Sequence, residues 1–176
     1  MPTARLQVVP TGRERTFGDE EIIVSKTDPQ GRITYVNDVF LRVSKYPEED
    51  LIGAPHSLIR HPETPRAIFT LLWERIQAGR EVFAYINNLC ADGDHYWVFA
   101  HVTPSFDDTG RIVGYHSNRR APDRGKVNAV RTLYLRLVAA ERRYADRRDG
   151  LVASTALLEA ELAAAGLAYD HWIWTI

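Results

Sequence analysis

The chain has one cysteine, Cys90, and no stretch that approaches the roughly 20 apolar residues needed to span a bilayer. A lone cysteine excludes an internal disulfide framework and any cysteine-only metal cage, and it suits a reducing compartment. Met1 to Glu14 lacks a signal-peptide core, so a cytoplasmic protein without membrane insertion is expected. Charge of one sign is also missing: 22 Lys and Arg stand against 23 Asp and Glu, a formal net charge of -1. So balanced a chain releases few counterions on a polyanion, which argues against nucleic acid as a partner. There is no Gly-rich phosphate loop, nucleophile elbow or zinc-ligand spacing, and no enzyme is expected.

What is present is globular. With 45% hydrophobic and 26% charged residues in 176, the chain can form one domain with a core plus an appendage. Three parts are expected: an N-terminal arm over 1–20, a domain over 21–121 and a helical tail over 122–176. The arm mixes Pro, Gly and charge with a short apolar piece, Leu6 to Val9, and its order depends on docking. Ile22 to Lys26 and Ile33 to Val36 are β-rich runs around an Asp28-Pro29-Gln30-Gly31 turn, which predicts a hairpin. Asn37 then caps a helical run from Asp38, and Pro47 to Leu51 gives another turn of helix closed by Gly53.

The centre of the sequence is Arg60-His61-Pro62-Glu63-Thr64-Pro65 and the helix after it. Thr64 as a cap, Pro65 at the first helical position and Gly79 as a stop predict a helix from Pro65 to Ala78, with Ile68, Phe69, Leu72, Trp73 and Ile76 on one stripe. Arginine and histidine just before a helix start put cationic donors beside free amides, an arrangement suited to an anion or a carbonyl-rich ligand. Three strands follow: Val82 to Asn88, His95 to Phe106 and Ile112 to Arg119, joined by turns at Ala91 to Asp94 and Asp107 to Gly110. The fold expected is α+β, a five-stranded antiparallel sheet with short helices and one long helix on one face. The other face needs cover, from the arm or from a second subunit.

Beyond Pro122, Val127, Val130, Tyr134 and Leu137 predict an amphipathic helix broken by Gly150, and Leu151 to Ala165 predict a second one closed by Gly166. The end, Trp172-Ile173-Trp174-Thr175-Ile176, reads as a strand-like aromatic segment that either meets a partner or covers the domain's own sheet.

Hairpin, short helices, one long helix and three antiparallel strands, in that order, resemble a PAS domain. The run His56-Ser57-Leu58-Ile59-Arg60-His61-Pro62, the helix with Trp73, and Asn88 followed by Gly93-Asp94-His95-Tyr96-Trp97-Val98 resemble more closely the PAS domain of bacterial aerotaxis receptors, a family that binds FAD. The likeness covers about Glu21 to Ala121. The receptors' membrane segment, linker module and methyl-accepting coiled coil are not legible, so a free-standing sensor is implied. The family's Arg-His-Pro-Asp-Met-Pro is here Arg-His-Pro-Glu-Thr-Pro, a usual tryptophan is Val82, and a basic hairpin is replaced by Asn87 to Asp92.

A flavin site needs an apolar slot, donors and acceptors for the ring edge, and positive charge for phosphate. Asn88 pairs both ways with a ring edge, Trp73 offers a stacking plane or plain core, and Arg60 with His61 offers the phosphate end, near the carboxylate of Glu63. His101 lies on the same strand face as Trp97 and Phe99, and Asn37, Trp97 and His101 complete the candidate set. The resemblance implies non-covalent FAD, with FMN and haem as alternatives, since six histidines are available for an axial ligand. Cys90 lies too late in the chain for the photoadduct of light-sensing flavin PAS domains. The function implied is a redox or oxygen-status sensor that signals to a chemotaxis receptor or histidine kinase. A homodimer is expected, and a ligand-free dimerisation module is the competing reading.

Overall fold

The β-rich runs pair as their alternation requires. In the computed structural model, which describes residues 8–176, strands β1 (Ile23–Thr27), β2 (Ile33–Val36), β3 (Val82–Leu89), β4 (His95–Phe106) and β5 (Ile112–Arg120) form one antiparallel sheet in the order β2-β1-β5-β4-β3. Gly31, Gly93 and Gly110 close the three tight turns with positive φ, a conformation that costs a glycine little. Helices α1 (Asp38–Ser44) and α2 (Glu48–Leu51), a 3-10 turn at His56–Ile59, and α3 (Arg66–Gln77) lie in series between β2 and β3. They cover the inner face of the sheet and bury Phe40, Leu51, Ile59, Ile68 and Ile76.

Over β3 and β4 the outer face is roofed by the chain's own tail, α4 (Arg124–Arg142), α5 (Arg147–Ala165) and α6 (Tyr169–Trp172). Val127, Val130, Tyr134 and Leu137 of α4 are buried, as their spacing predicts. Trp174 meets Phe83 and Phe99 edge-on, with ring centroids 4.7 and 5.3 Å away. Neither the arm nor a second subunit is needed there. The arm instead extends an edge: Thr11 N donates to Gly93 O, Arg15 N to His95 O, and Glu14 bridges His95 in parallel, beside the part of β4 that β5 does not reach. Arg13 and Arg15 both hold Asp94. Of the apolar piece Leu6 to Val9, Leu6 and Gln7 lie outside the described residues.

The tail departs from expectation in two places. Gly150 lies inside α5; the break falls at Arg143 to Asp146, where Asp146 caps α5 by accepting from Arg148 N and Asp149 N. Glycine is needed at 150 for close approach, because a Cβ there would sit 2.4 Å from the Glu141 carbonyl oxygen. The aromatic end is also not a strand: α6 is one helical turn, continued by turns that place Ile173 in the core.

β3 is an edge strand, and its free backbone groups are taken up one by one. Tyr169 Oη donates to Phe83 O (2.8 Å), Tyr134 Oη to Tyr85 O (2.6 Å), and Thr64 Oγ1 to Asn87 O (3.0 Å). The period of two is the strand's own, and the edge is closed to further pairing.

Candidate ligand pocket

Between α3 and the inner face of the sheet lies a cavity of about 340 Å³, within the range that holds small-molecule ligands. Its existence follows from side-chain size. Register places Ile86 opposite Val98 and Ala84 opposite Ala100, and the small Ala100 faces inward where a larger residue would narrow the gap. Ile86, Ala100 and Val102 form its sheet wall, and Phe69, Leu72, Trp73 and Ile76 of α3 form the opposite one. Trp73 meets Tyr115 edge-on at 5.5 Å and packs over Gly31, where a Cβ would come within 2.9 Å of its ring.

The polar lining is cationic. Arg60 lies 3.7 Å above the Phe69 ring; its Nε has no hydrogen-bond partner, and burial pulls its pKa down. Arg119, only 2% exposed, donates from Nε to Ser117 Oγ (3.0 Å) and from Nη2 to His56 Nε2 (2.9 Å) and Ser25 Oγ, while its Nη1 has no partner. Arginine only donates, so His56 accepts at Nε2 and is the neutral tautomer; burial and the Arg119 charge push its pKa down to about 3. Desolvation likewise lowers Arg119 to about 10. Among the described residues neither arginine has an ion pair.

The structure divides the residues singled out from sequence. Arg60, Trp73 and Asn88 line the cavity; His61, Glu63, Trp97, His101 and Asn37 do not. Asn37 is consumed as the α1 cap: its Oδ1 accepts from Val24 N and Phe40 N, and its Nδ2 donates to Ile22 O. Trp97 and His101 sit opposite Asn87 and Phe83 on the outer face, with His101 stacked on Phe83 at 4.1 Å and bonded to Glu81 at 2.6 Å. His61 donates its backbone amide to Asn87 O, accepts from Glu63 N at Nδ1, and packs against His95. Glu63 faces Arg131 at 3.8 Å.

Thr64 is not the cap of α3, because its hydroxyl exchanges hydrogen bonds with Asn87 N and O. The helix start is instead served by a carboxylate from the tail. Glu141, 8% exposed, accepts from Ala67 N (3.2 Å), Ser154 Oγ (2.9 Å) and Arg66 Nε (3.1 Å). The anion expected at this helix terminus is therefore one the chain supplies itself. Sequence reasoning missed Arg119, His56, Ser25 and Ser117. Alternation along β5 could have signalled Ser117 and Arg119, which share Tyr115's face; His56 opens the run that carries the family resemblance, and nothing local marked Ser25.

A profile described as PAS fold matches residues 33–119. Residues 33–119 are a PAS domain. The aerotaxis receptor of Escherichia coli K12 is 36% identical over 129 residues, 73% of this chain and 25% of that protein. The nitrogen fixation regulatory protein of Klebsiella pneumoniae is 27% identical over 56% of this chain and 20% of its own length. The chain thus spans a quarter or less of these relatives. A light-oxygen-voltage domain from a study of its mechanism with a flavin analogue superposes with a TM-score of 0.57 at 19% identity, over 61% of this chain and 82% of that one. The dark structure of the Aureochrome1 light-oxygen-voltage domain gives 0.54 at 22% identity, over 69% and 86%. The solved neighbours share the PAS fold with this chain. Among the described residues no helix is long and apolar enough to cross a membrane.

Proposed function

We propose that this chain is a cytoplasmic redox or oxygen-status sensor whose PAS cavity holds a flavin without a covalent bond, FAD in the first instance. The observation that carries the reading is an apolar cavity whose only charged lining residues are two arginines without ion pairs. An apolar slot with uncompensated positive charge suits a flat ring carrying phosphate. Trp73, Phe69 and Ile86 exclude water from the slot, and Asn88, whose amide both donates and accepts, orients the ring edge. A bound flavin supplies reversible electron transfer. Haem fits less well: His56 is the only histidine in the lining, and its Nε2 is already an acceptor for Arg119.

Output runs through the tail in this reading. Arg60, His61 and Thr64 fix the loop before α3, and Glu141 ties the first turn of α3 to α4 and α5. A change in how the loop is held would bias that junction and alter contact with a signalling partner such as a receptor or kinase, with a homodimer as the expected assembly. Freshly purified protein is expected to show the two absorbance bands of oxidised flavin, bleached by reduction and restored by air, with Arg60→Ala weakening retention. Protein that stays colourless after incubation with FAD, FMN and riboflavin would leave only the interaction module.

A further inference from the structure

Elsewhere on the surface arginines find carboxylates: Arg42 meets Glu21, Arg80 meets Asp170, Arg111 meets Asp107 and Arg136 meets Glu161. The connection between α4 and α5 is different. Residues 142–149 are all exposed and hold four arginines against two aspartates, and among the described residues none of those arginines has an ion pair. Asp146 is spent as the cap of α5. Two of the arginines also work against the fold. Arg147 and Arg148 open α5, where the helix dipole is positive and an acid would be favoured. Arg147 in addition lies close enough to Arg60 for the two charges to oppose each other. The fold gains nothing from these two side chains, so the anion that suits them comes from outside.

Apolar side chains accompany the charge. Tyr144, 50% exposed, follows Arg143, and Val152, 63% exposed, lies one turn along α5 from Arg148. The base of the tip is firm: buried Glu141 and Gly150 bracket it, and Arg66 of α3 donates to Arg147 O at 2.7 Å.

We propose that the tip between α4 and α5 is the docking surface for a protein partner, and that the segment it takes is an acidic peptide with apolar side chains between its carboxylates. This rests on the reading that output runs through the tail, and it does not depend on which group fills the cavity. A guanidinium grips a carboxylate with two parallel hydrogen bonds, and tyrosine and arginine are among the side chains most enriched at protein interfaces. A membrane surface or a nucleic acid presents a continuous field of phosphate, which would meet exposed Asp149 as well as the arginines, whereas a peptide of spaced carboxylates leaves it aside. A carboxylate brought to Arg147 also relieves its repulsion of Arg60. Docking is then felt at the loop before α3 through charge, as well as through Arg66.

The probe is a short fluorescent peptide in which pairs of glutamate flank leucine and phenylalanine, titrated into the full chain by anisotropy at low salt. Wild type should bind it, and the double variant Arg143→Gln, Arg148→Gln should lose about 10- to 100-fold in affinity. Arg120→Gln with Lys126→Gln removes the same charge at the other end of α4 and should lose less than about 3-fold. Tyr144→Ser should lose about 3- to 10-fold, a readout that net charge would not move. All of these side chains lie at the surface, so melting temperatures should not fall. Equal losses in the two double variants, or full affinity in Tyr144→Ser, would reduce the tip to non-specific attraction and overturn the proposal. So would wild type that ignores the peptide, or that binds a glutamine version equally well. Tighter binding to phosphatidylserine vesicles or to an oligonucleotide of equal charge would replace the protein partner by a polyanion. Peptide binding by protein that takes up no flavin would remove the sensor reading and leave this surface standing, and flavin uptake without peptide binding would do the opposite.

Discussion

On the outer face of β3 and β4, Phe83, Tyr85, Phe99 and His101 meet ring against ring under the tail helices. One residue along, on the inner face, Ala100 and Val102 border open space, and Arg119 is buried without a counter-charge. The same strands carry both arrangements because alternate side chains point to opposite faces. The outer face puts its side chains into packing, which holds the tail on. The inner face forgoes packing and charge pairing, and thereby keeps room for a ligand. It follows that cutting the chain after Pro122 would not liberate an intact sensor, because it would uncover the whole aromatic face.

The largest expected effect sets two leucines against each other. Leu137 on the outer side is fully buried, and Leu137→Ala should cost about 4 kcal/mol in urea unfolding, the transfer loss plus a new cavity. Leu72 borders space that already exists, so Leu72→Ala forfeits fewer contacts and should cost about 2 kcal/mol. Equal losses would mean that the inner cavity is closed in solution and that the contrast between the faces does not hold.

The elements of the domain were legible because each has a local signature: β-rich runs, glycine turns, and the helical stripe of Ile68, Leu72 and Ile76. What was not legible came from pairing across the sheet. Once β3 and β4 are joined by a short turn, Asn88 opposite Tyr96 fixes every later pair and sends Trp97 and His101 outward, whatever their chemistry suggests. The hairpin alone contained that conclusion. Thr64 looked like a cap because a threonine before Pro65 has the right form, but an edge strand 23 residues on competed for its hydroxyl, and the carboxylate of Glu141, 74 residues beyond Ala67, took the Ala67 amide. Gly150 read as a stop because glycine commonly ends helices, whereas here its missing side chain lets α5 approach Glu141. Alternation along β5 marks Arg119 as inward-facing, but only the sheet order brings Ser25 beside it, and only the packing of the 3-10 turn brings His56.

Acid sharpens the comparison next, because the inner face holds a histidine that must stay neutral. His56 has a folded-state pKa near 3 against an ordinary 6.5, so below about pH 6.5 the unfolded chain binds the extra proton and the folded one does not. Its contribution is complete above pH 6.5 and is lost as pH falls towards 3, about 2 to 3 kcal/mol over the first two units. Asp94 also weakens the fold in acid, since Thr11 and Arg13 hold its carboxyl below the usual range, so the informative quantity is a difference. His56→Gln keeps an acceptor for Arg119 and should flatten the stability profile between pH 6.5 and about 4.5 relative to wild type. Parallel profiles would show that the imidazole is hydrated or already charged, and that the inner face is wetter than its lining implies.

The smallest effect isolates the outer edge. Tyr134 and Tyr169 each bury a ring and give one hydroxyl to a β3 carbonyl, Tyr85 O and Phe83 O. Phenylalanine keeps the ring and removes only the donor, so each substitution should cost about 1 kcal/mol, with the Tyr134 change the larger because its hydrogen bond is buried and that of Tyr169 only partly so. Neither hydroxyl borders the cavity, so ligand affinity should not move in Tyr134→Phe, whereas stability should. A loss of affinity without a loss of stability would mean that the edge of β3 transmits to the inner wall through Ile86 and Asn88. In that case the two faces, set apart by the pleat, would still act as one mechanical unit.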